Sequence, residues 1–76
     1  MTPAQCRAAR AFVDMTQAQL AAAAVVPLAT IADFEAGELL IGGDHHIQAM
    51  RRALERAGIE FTGFGDRVGV KLKGRK

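Results

Sequence analysis

Apolar residues recur every three to four positions from residue 3 to residue 57, and every second position beyond Gly58. The first period predicts helices and the second predicts strands. Cys6, Ala9 and Val13 stand at i, i+3 and i+7, which gives one core-facing stripe on a helix over Pro3 to Asp14. Thr2 is placed to cap it, Pro3 suits the first helical position, and Gln5 completes a capping box. A second box, Thr16 with Gln19, opens a helix to Ala24 with Leu20 and Ala21 inward. A third helix is expected from Pro27 to Ala36, with Ile31 and Phe34 buried and Gly37 as its left-handed stop. After the apolar connector Leu39–Gly43, Asp44 is expected to cap a helix over His45 to Ala57 that ends at Gly58. Its stripe is Ile47, Met50, Leu54 and Ala57, which leaves Arg52, Glu55 and Arg56 towards solvent. In the tail Ile59 and Phe61 alternate with Glu60 and Thr62, and Val68, Val70 and Leu72 alternate with Gly69, Lys71 and Lys73. The stretch from Gly63 to Arg67 then reads as a five-residue hairpin loop.

The fold class is mainly α, four helices followed by a C-terminal β-hairpin. Thr16 to Gly37 has the layout of a helix-turn-helix, whose second helix enters the major groove of DNA. Residues 1–58 form that unit, and residues 59–76 form the hairpin and a basic tail. A lone hairpin is marginal in water. It must lie on the helices or pair with a second copy of itself, and the expected dimer seam is Ile59, Phe61, Val68, Val70 and Leu72, with an edge strand as the pairing template.

With 76 residues the core leaves only about 3–5 kcal/mol of net stability. Half of the residues are hydrophobic but only four are aromatic, all Phe, which suits close helix packing better than a large ligand cavity. The single cysteine, Cys6, excludes an intrachain disulfide and fits a reducing, cytoplasmic setting. As a small apolar residue on the core stripe it reads as buried. No run of about 18 apolar residues and no signal-peptide pattern is present, so no membrane role is expected.

The net charge of +2 is unevenly spread. Residues 1–50 carry two arginines against five acids, net −3; residues 51–76 carry eight basic residues against three acids, net +5. That asymmetry points to a polyanion partner met by the C-terminal part. His45 and His46 project about 100° apart on a helix and have no Cys or Glu at ligand spacing, so no metal is expected. No acid pair, nucleophile triad or phosphate-cradling glycine loop stands out, so neither an enzyme nor a cofactor is expected.

Arg10, then Thr16-Gln17-Ala18-Gln19-Leu20-Ala21, then Thr30-Ile31, then Phe34-Glu35-Ala36-Gly37, taken together, resemble the xenobiotic-response-element, or phage repressor and Cro-like, family of small bacterial regulators. The resemblance covers residues 2–57; Gly58 to Phe61 and Gly69 to Lys73 also look like members that close with a hairpin. It implies a lambda-repressor-like domain in which Arg10 and Glu35 form a structural ion pair. It also implies that Thr16 and Gln17 meet a phosphate at the helix N-terminus, where backbone amides assist. Pro27, Leu28, Ala29, Thr30 and Asp33 occupy the groove-facing positions; Arg51, Arg52 and Arg56, with the basic tail, are placed to reach the backbone.

The chain departs from the family pattern at these reading positions. Leu28 and Ala29 offer contact only to thymine methyls, and Asp33 accepts only from a base amino group. Val25 stands where glycine is usual and Pro27 where serine is usual. The implied function is a sequence-specific regulator of transcription, a repressor, bound to double-stranded DNA as a homodimer with half-sites about 34 Å apart. The alternative is a protein-interaction module or anti-activator on the same fold, which has lost DNA binding and meets another regulatory protein.

Overall fold

A computed structural model describes residues 1–38, 43–63 and 69–72. The chain is mainly helical: α1 (Pro3–Phe12), α2 (Gln17–Ala24), α3 (Leu28–Glu35) and α4 (Asp44–Arg56) precede β1 (Ile59–Thr62) and β2 (Gly69–Leu72). No described helix is long and apolar enough to cross a membrane.

Both expected capping boxes are present. The Thr2 hydroxyl accepts from the Gln5 amide at 3.0 Å, and the Gln5 side chain accepts from the Thr2 amide at 2.8 Å. Thr16 and Gln19 repeat the exchange at the same distances. Each box satisfies two of the amides that a helix start leaves without partners.

Several boundaries differ from the sequence reading, and α3 and α4 each end one residue early, at Glu35 and Arg56. α1 stops at Phe12; Val13 is its C-cap and Asp14 turns the chain with a left-handed φ of 55°. Pro27 is the N-cap of α3 and not its first residue. Asp44 lies inside the first turn of α4, Gly43 takes the cap position, and no side chain bonds the cap. The Asp44 carboxylate there favours the helix through the positive end of the helix dipole instead. The connector Leu39 to Gly42, most of the hairpin loop, Val68 and Lys73 lie outside the described residues.

The core unites Cys6 and Ala9 of α1, Leu20 and Ala21 of α2, Val26, Ile31 and Phe34, Met50, Ala53 and Leu54 of α4, and Ile59 of β1. The α4 stripe is shifted from the expected one: Ala53 is buried, whereas Ala57 is the exposed C-cap. Gly37 takes a φ of 79° beyond α3, as the stop position requires.

The hairpin pairs Ile59 with Leu72, Glu60 with Lys71, Phe61 with Val70 and Thr62 with Gly69, antiparallel. Opposed residues share a face of the sheet. The Ile59, Phe61, Val70 and Leu72 face is the apolar one; Ile59 lies in the helical core, and Phe61 and Val70 pack against it. Glu60 and Lys71 oppose one another on the exposed face. β1 lies by α4 and β2 by α1. A polar tie fixes this docking: the Gln5 side-chain amide, 7% exposed, donates to the Gly69 carbonyl at 2.8 Å.

Candidate nucleic-acid interface

The candidate surface is built from α2, the turn and α3. Thr16 sets the start of α2 through its box with Gln19. The turn is made at Val25, which adopts the left-handed conformation (φ 57°, ψ 51°) and is 87% exposed. The Val26 amide then returns to the Ala21 carbonyl at 3.0 Å and closes the end of α2. A β-branched residue in this conformation is strained by about 1–2 kcal/mol, which identifies the turn as a geometric requirement of the frame.

α3 divides into two sides. Ile31, Phe34 and Glu35 are buried. Pro27, Leu28, Ala29 and Asp33 are exposed, and Thr30 is half-buried beside them. The five expected groove-facing positions thus fall on one segment, and its accessible surface is apolar and acidic. Leu28 is 49% exposed, far more than a core leucine.

Glu35 anchors that helix. Arg10 grips its carboxylate as a fork, Nε to Oε2 and Nη2 to Oε1, both at 2.7 Å. The Gln17 amide donates to Oε1 at 3.0 Å and the Cys6 thiol to Oε2 at 3.0 Å. Arg7 Nη1 donates to the Glu35 carbonyl, and Arg10 Nη1 to the Met15 carbonyl at 2.9 Å. One carboxylate therefore joins α1, α2 and α3. Burial opposes its charge, but the bonds from Arg10, Gln17 and Cys6, with the Arg10 charge, outweigh burial and hold its pKa at about 2. Burial, then the bond and charge of Glu35, push the Cys6 thiol up to about 12. At neutral pH Cys6 is thus a protonated donor and not a nucleophile.

Of these contacts sequence reasoning expected only the Arg10–Glu35 pair. The Cys6 role had a signal: Cys6 lies four residues before Arg10, on the same face of α1, so it neighbours whatever Arg10 grips. Nothing local marked Arg7 for the carbonyl at the end of α3, or Gln5 for Gly69.

The other expected site residues are spread out. Thr16 and Gln17 sit together at the start of α2, but the Gln17 amide is already bonded inward to Glu35. Arg51 and Arg52 stand on α4, which packs on α2 and β1. Arg51 Nε bonds Glu55 at 3.0 Å, and its guanidinium lies 5.1 Å from the centre of the Phe61 ring. Arg52 is exposed. Arg56 Nη2 donates to the Ala23 carbonyl at 3.3 Å, in the last turn of α2.

Among the expected dimer residues, Ile59 has no accessible surface and is corrected to an internal core residue. Phe61 and Val70 are half-buried against the same core, Leu72 is 46% exposed, and Val68 is outside the described residues. The hairpin's apolar face is mostly covered from within the protomer, because β1 and β2 lie down on α4 and α1.

Two shallow depressions run along α1, one of about 300 Å³ lined by Ala8, Ala11 and Phe12, the other of about 190 Å³ lined by Ala4, Gln5, Ala8, Gly69 and Val70. Neither adjoins α3. His45 and His46 contact each other edge to face, their centroids 5.1 Å apart, and no group of three potential metal ligands converges among the described residues. No protein-family model matches the chain, and no curated protein matches it at a significant level.

Proposed function

We propose that the chain is a non-enzymatic, sequence-specific DNA-binding regulator of transcription, a repressor, with a lambda-repressor-like helix-turn-helix domain that acts as a cytoplasmic homodimer. One observation carries this reading. α2 and α3 are joined through a left-handed turn at Val25, and Glu35 fastens the inner side of α3 while Pro27, Leu28, Ala29 and Asp33 stay exposed. With its side chains an α-helix is about 10–12 Å across, which fits the width of the major groove. In this reading Leu28 and Ala29 meet thymine methyls and Asp33 accepts from a base amino group. Selection from random duplexes tests it: an enriched motif is expected, and a pool that stays random after several rounds refutes it.

A second reading, a protein-interaction module or anti-activator, is favoured by a different observation. α2 and α3 contain no Lys or Arg, and Asp33 is exposed on the outer surface of α3. An apolar, acidic helix suits a groove with basic rims on another protein. For this reading, crosslinking from Leu28 replaced by a photoreactive residue is expected to trap one protein. Crosslinks to DNA alone would end it.

A further inference from the structure

The surface proposed to meet DNA lacks the charge that DNA binding needs. Affinity for a duplex comes largely from Lys and Arg side chains that neutralise phosphates. Neither α2 nor α3 supplies one, and Asp33 repels phosphate. If α3 enters a groove, the neutralising cations must come from elsewhere in the fold.

The structure narrows the choice among the described residues. Arg10 is held by Glu35, and Arg7 bonds the Glu35 carbonyl at the C-terminal end of α3, the end away from the α2–α3 turn. Arg51 is paired with Glu55 and lies over Phe61. Lys71 opposes Glu60 across the hairpin. Arg52 and Arg56 remain, both exposed on α4. They stand four residues apart, so they lie on one helix face with about 6 Å between them. Glu55, the acid between them, is engaged by Arg51. Arg56 also has a fixed position: its bond to the Ala23 carbonyl sets it at the end of α2, just before the Val25 turn and the start of α3. A guanidinium has five N–H donors, and that bond uses one.

We infer that Arg52 and Arg56 form a two-guanidinium row that binds the phosphate backbone beside the α2–α3 turn, in place of the contacts that α2 and α3 do not supply. The row rests on the DNA-binding reading. It places the anchoring charge on α4 and, of the three arginines expected to reach the backbone, leaves out Arg51, which Glu55 and Phe61 engage.

The test is fluorescence anisotropy of a labelled mixed-sequence duplex about two helical turns long, titrated with the full chain across a series of salt concentrations. Each phosphate contact adds about 0.9 to the slope of log affinity against log salt. The double variant R52Q/R56Q is expected to lose about 1.8 from that slope. K71Q is expected to keep the wild-type slope, because Lys71 stands on β2, which packs on α1 and not beside the α2–α3 turn. Melting followed by circular dichroism shows that the variants are folded. A wild-type slope in R52Q/R56Q overturns the row and moves the contacts to Arg67, Lys73, Arg75 or Lys76. If the wild-type chain binds no duplex even at low salt, the DNA-binding reading falls and the row with it.

Discussion

Replacing Glu35 with alanine tests whether one carboxylate holds three helices together. Its side chain is 4% exposed, and it accepts both fork bonds of Arg10 as well as those of Gln17 and Cys6. Two independent estimates give the cost. Breaking one partner of a buried ion pair costs about 3–5 kcal/mol, because the other charge is left without compensation. Arg10 keeps 19% exposure and the Met15 carbonyl, which favours the lower end of that range. The second estimate is proton linkage. A carboxyl displaced from 4.5 to about 2 stabilises the fold by roughly 3 kcal/mol once it is ionised. A domain this small has only about 3–5 kcal/mol to lose. Glu35→Ala is therefore expected to keep no more than about 2 kcal/mol of stability at 25 °C. Glu35→Gln keeps the shape and one acceptor oxygen, and is expected to fold with a loss of about 2 kcal/mol.

The pH dependence follows from the sign of the shift. The folded-state pKa is depressed, so the contribution is fully present above 4.5 and disappears as pH falls towards 2. Urea denaturation followed by circular dichroism, repeated at several pH values, reads both effects. Wild type is expected to lose about 3 kcal/mol between pH 5 and pH 2, and Glu35→Gln to lose much less over that range. Glu35→Ala with stability within about 1 kcal/mol of wild type would refute the reasoning, since a buried fork cannot be deleted so cheaply. A flat wild-type profile below pH 5 would refute it equally.

Three further outcomes are expected. Cys6 is fully buried with its pKa near 12, so a maleimide should label it only through unfolding, roughly a hundredfold or more slower than in the denatured chain; mass spectrometry over time checks this. Val25→Asn relieves the left-handed strain at an exposed site, and should raise stability by about 1 kcal/mol and the melting temperature by about 4–8 °C in a calorimetric scan. Gln5→Ala removes both a capping-box partner and the tie to Gly69, and should cost about 1–2 kcal/mol, with amide exchange accelerated in β2 before it is in α2 or α4.

The helices were legible because their signals are local. Thr2 with Gln5 and Thr16 with Gln19 announce two starts through a hydrogen bond that spans three residues. The spacing of Met50 and Leu54 shows which side of α4 is buried. Interactions between distant segments were less visible. Gln5 carries a local signal as a box residue, and that signal hides its bond to Gly69, 64 residues away. Asp44 reads as a cap because caps favour aspartate, yet the chain places Gly43 there. Periodicity gave the apolar side of the hairpin but not its cover: the same alternation suits a partner's sheet or the protomer's own helices. Ile59 is buried by the chain's own helices, whereas Leu72 on the same face stays 46% exposed. In the site, the Arg10–Glu35 pair was expected only through the family resemblance, since no local signal links residues 25 apart. Arg51 differs from Arg52 and Arg56 through its i,i+4 partner Glu55, which is local, and through where Phe61 and Ala23 fall in space.

The outer surface of α3 can change without loss of the fold, because the residues that hold α3 all lie on its other side. Ile31, Phe34 and the Glu35 anchors fix the helix; Leu28, Ala29 and Asp33 contribute little to that. The frame that would aim α3 into a groove therefore serves equally to present an apolar, acidic helix to a protein. Electrostatics separates the two uses. At physiological salt a charge acts over about 8 Å, so attraction by Arg52 and Arg56 and repulsion by Asp33 are both local. Added salt weakens both. For DNA the attraction is the driving term, and affinity must fall as salt rises. For a protein groove the burial of Leu28 and Ala29 is the driving term, which salt does not screen. The sign and steepness of the salt dependence thus report which partner α3 meets, whatever the stability of the domain.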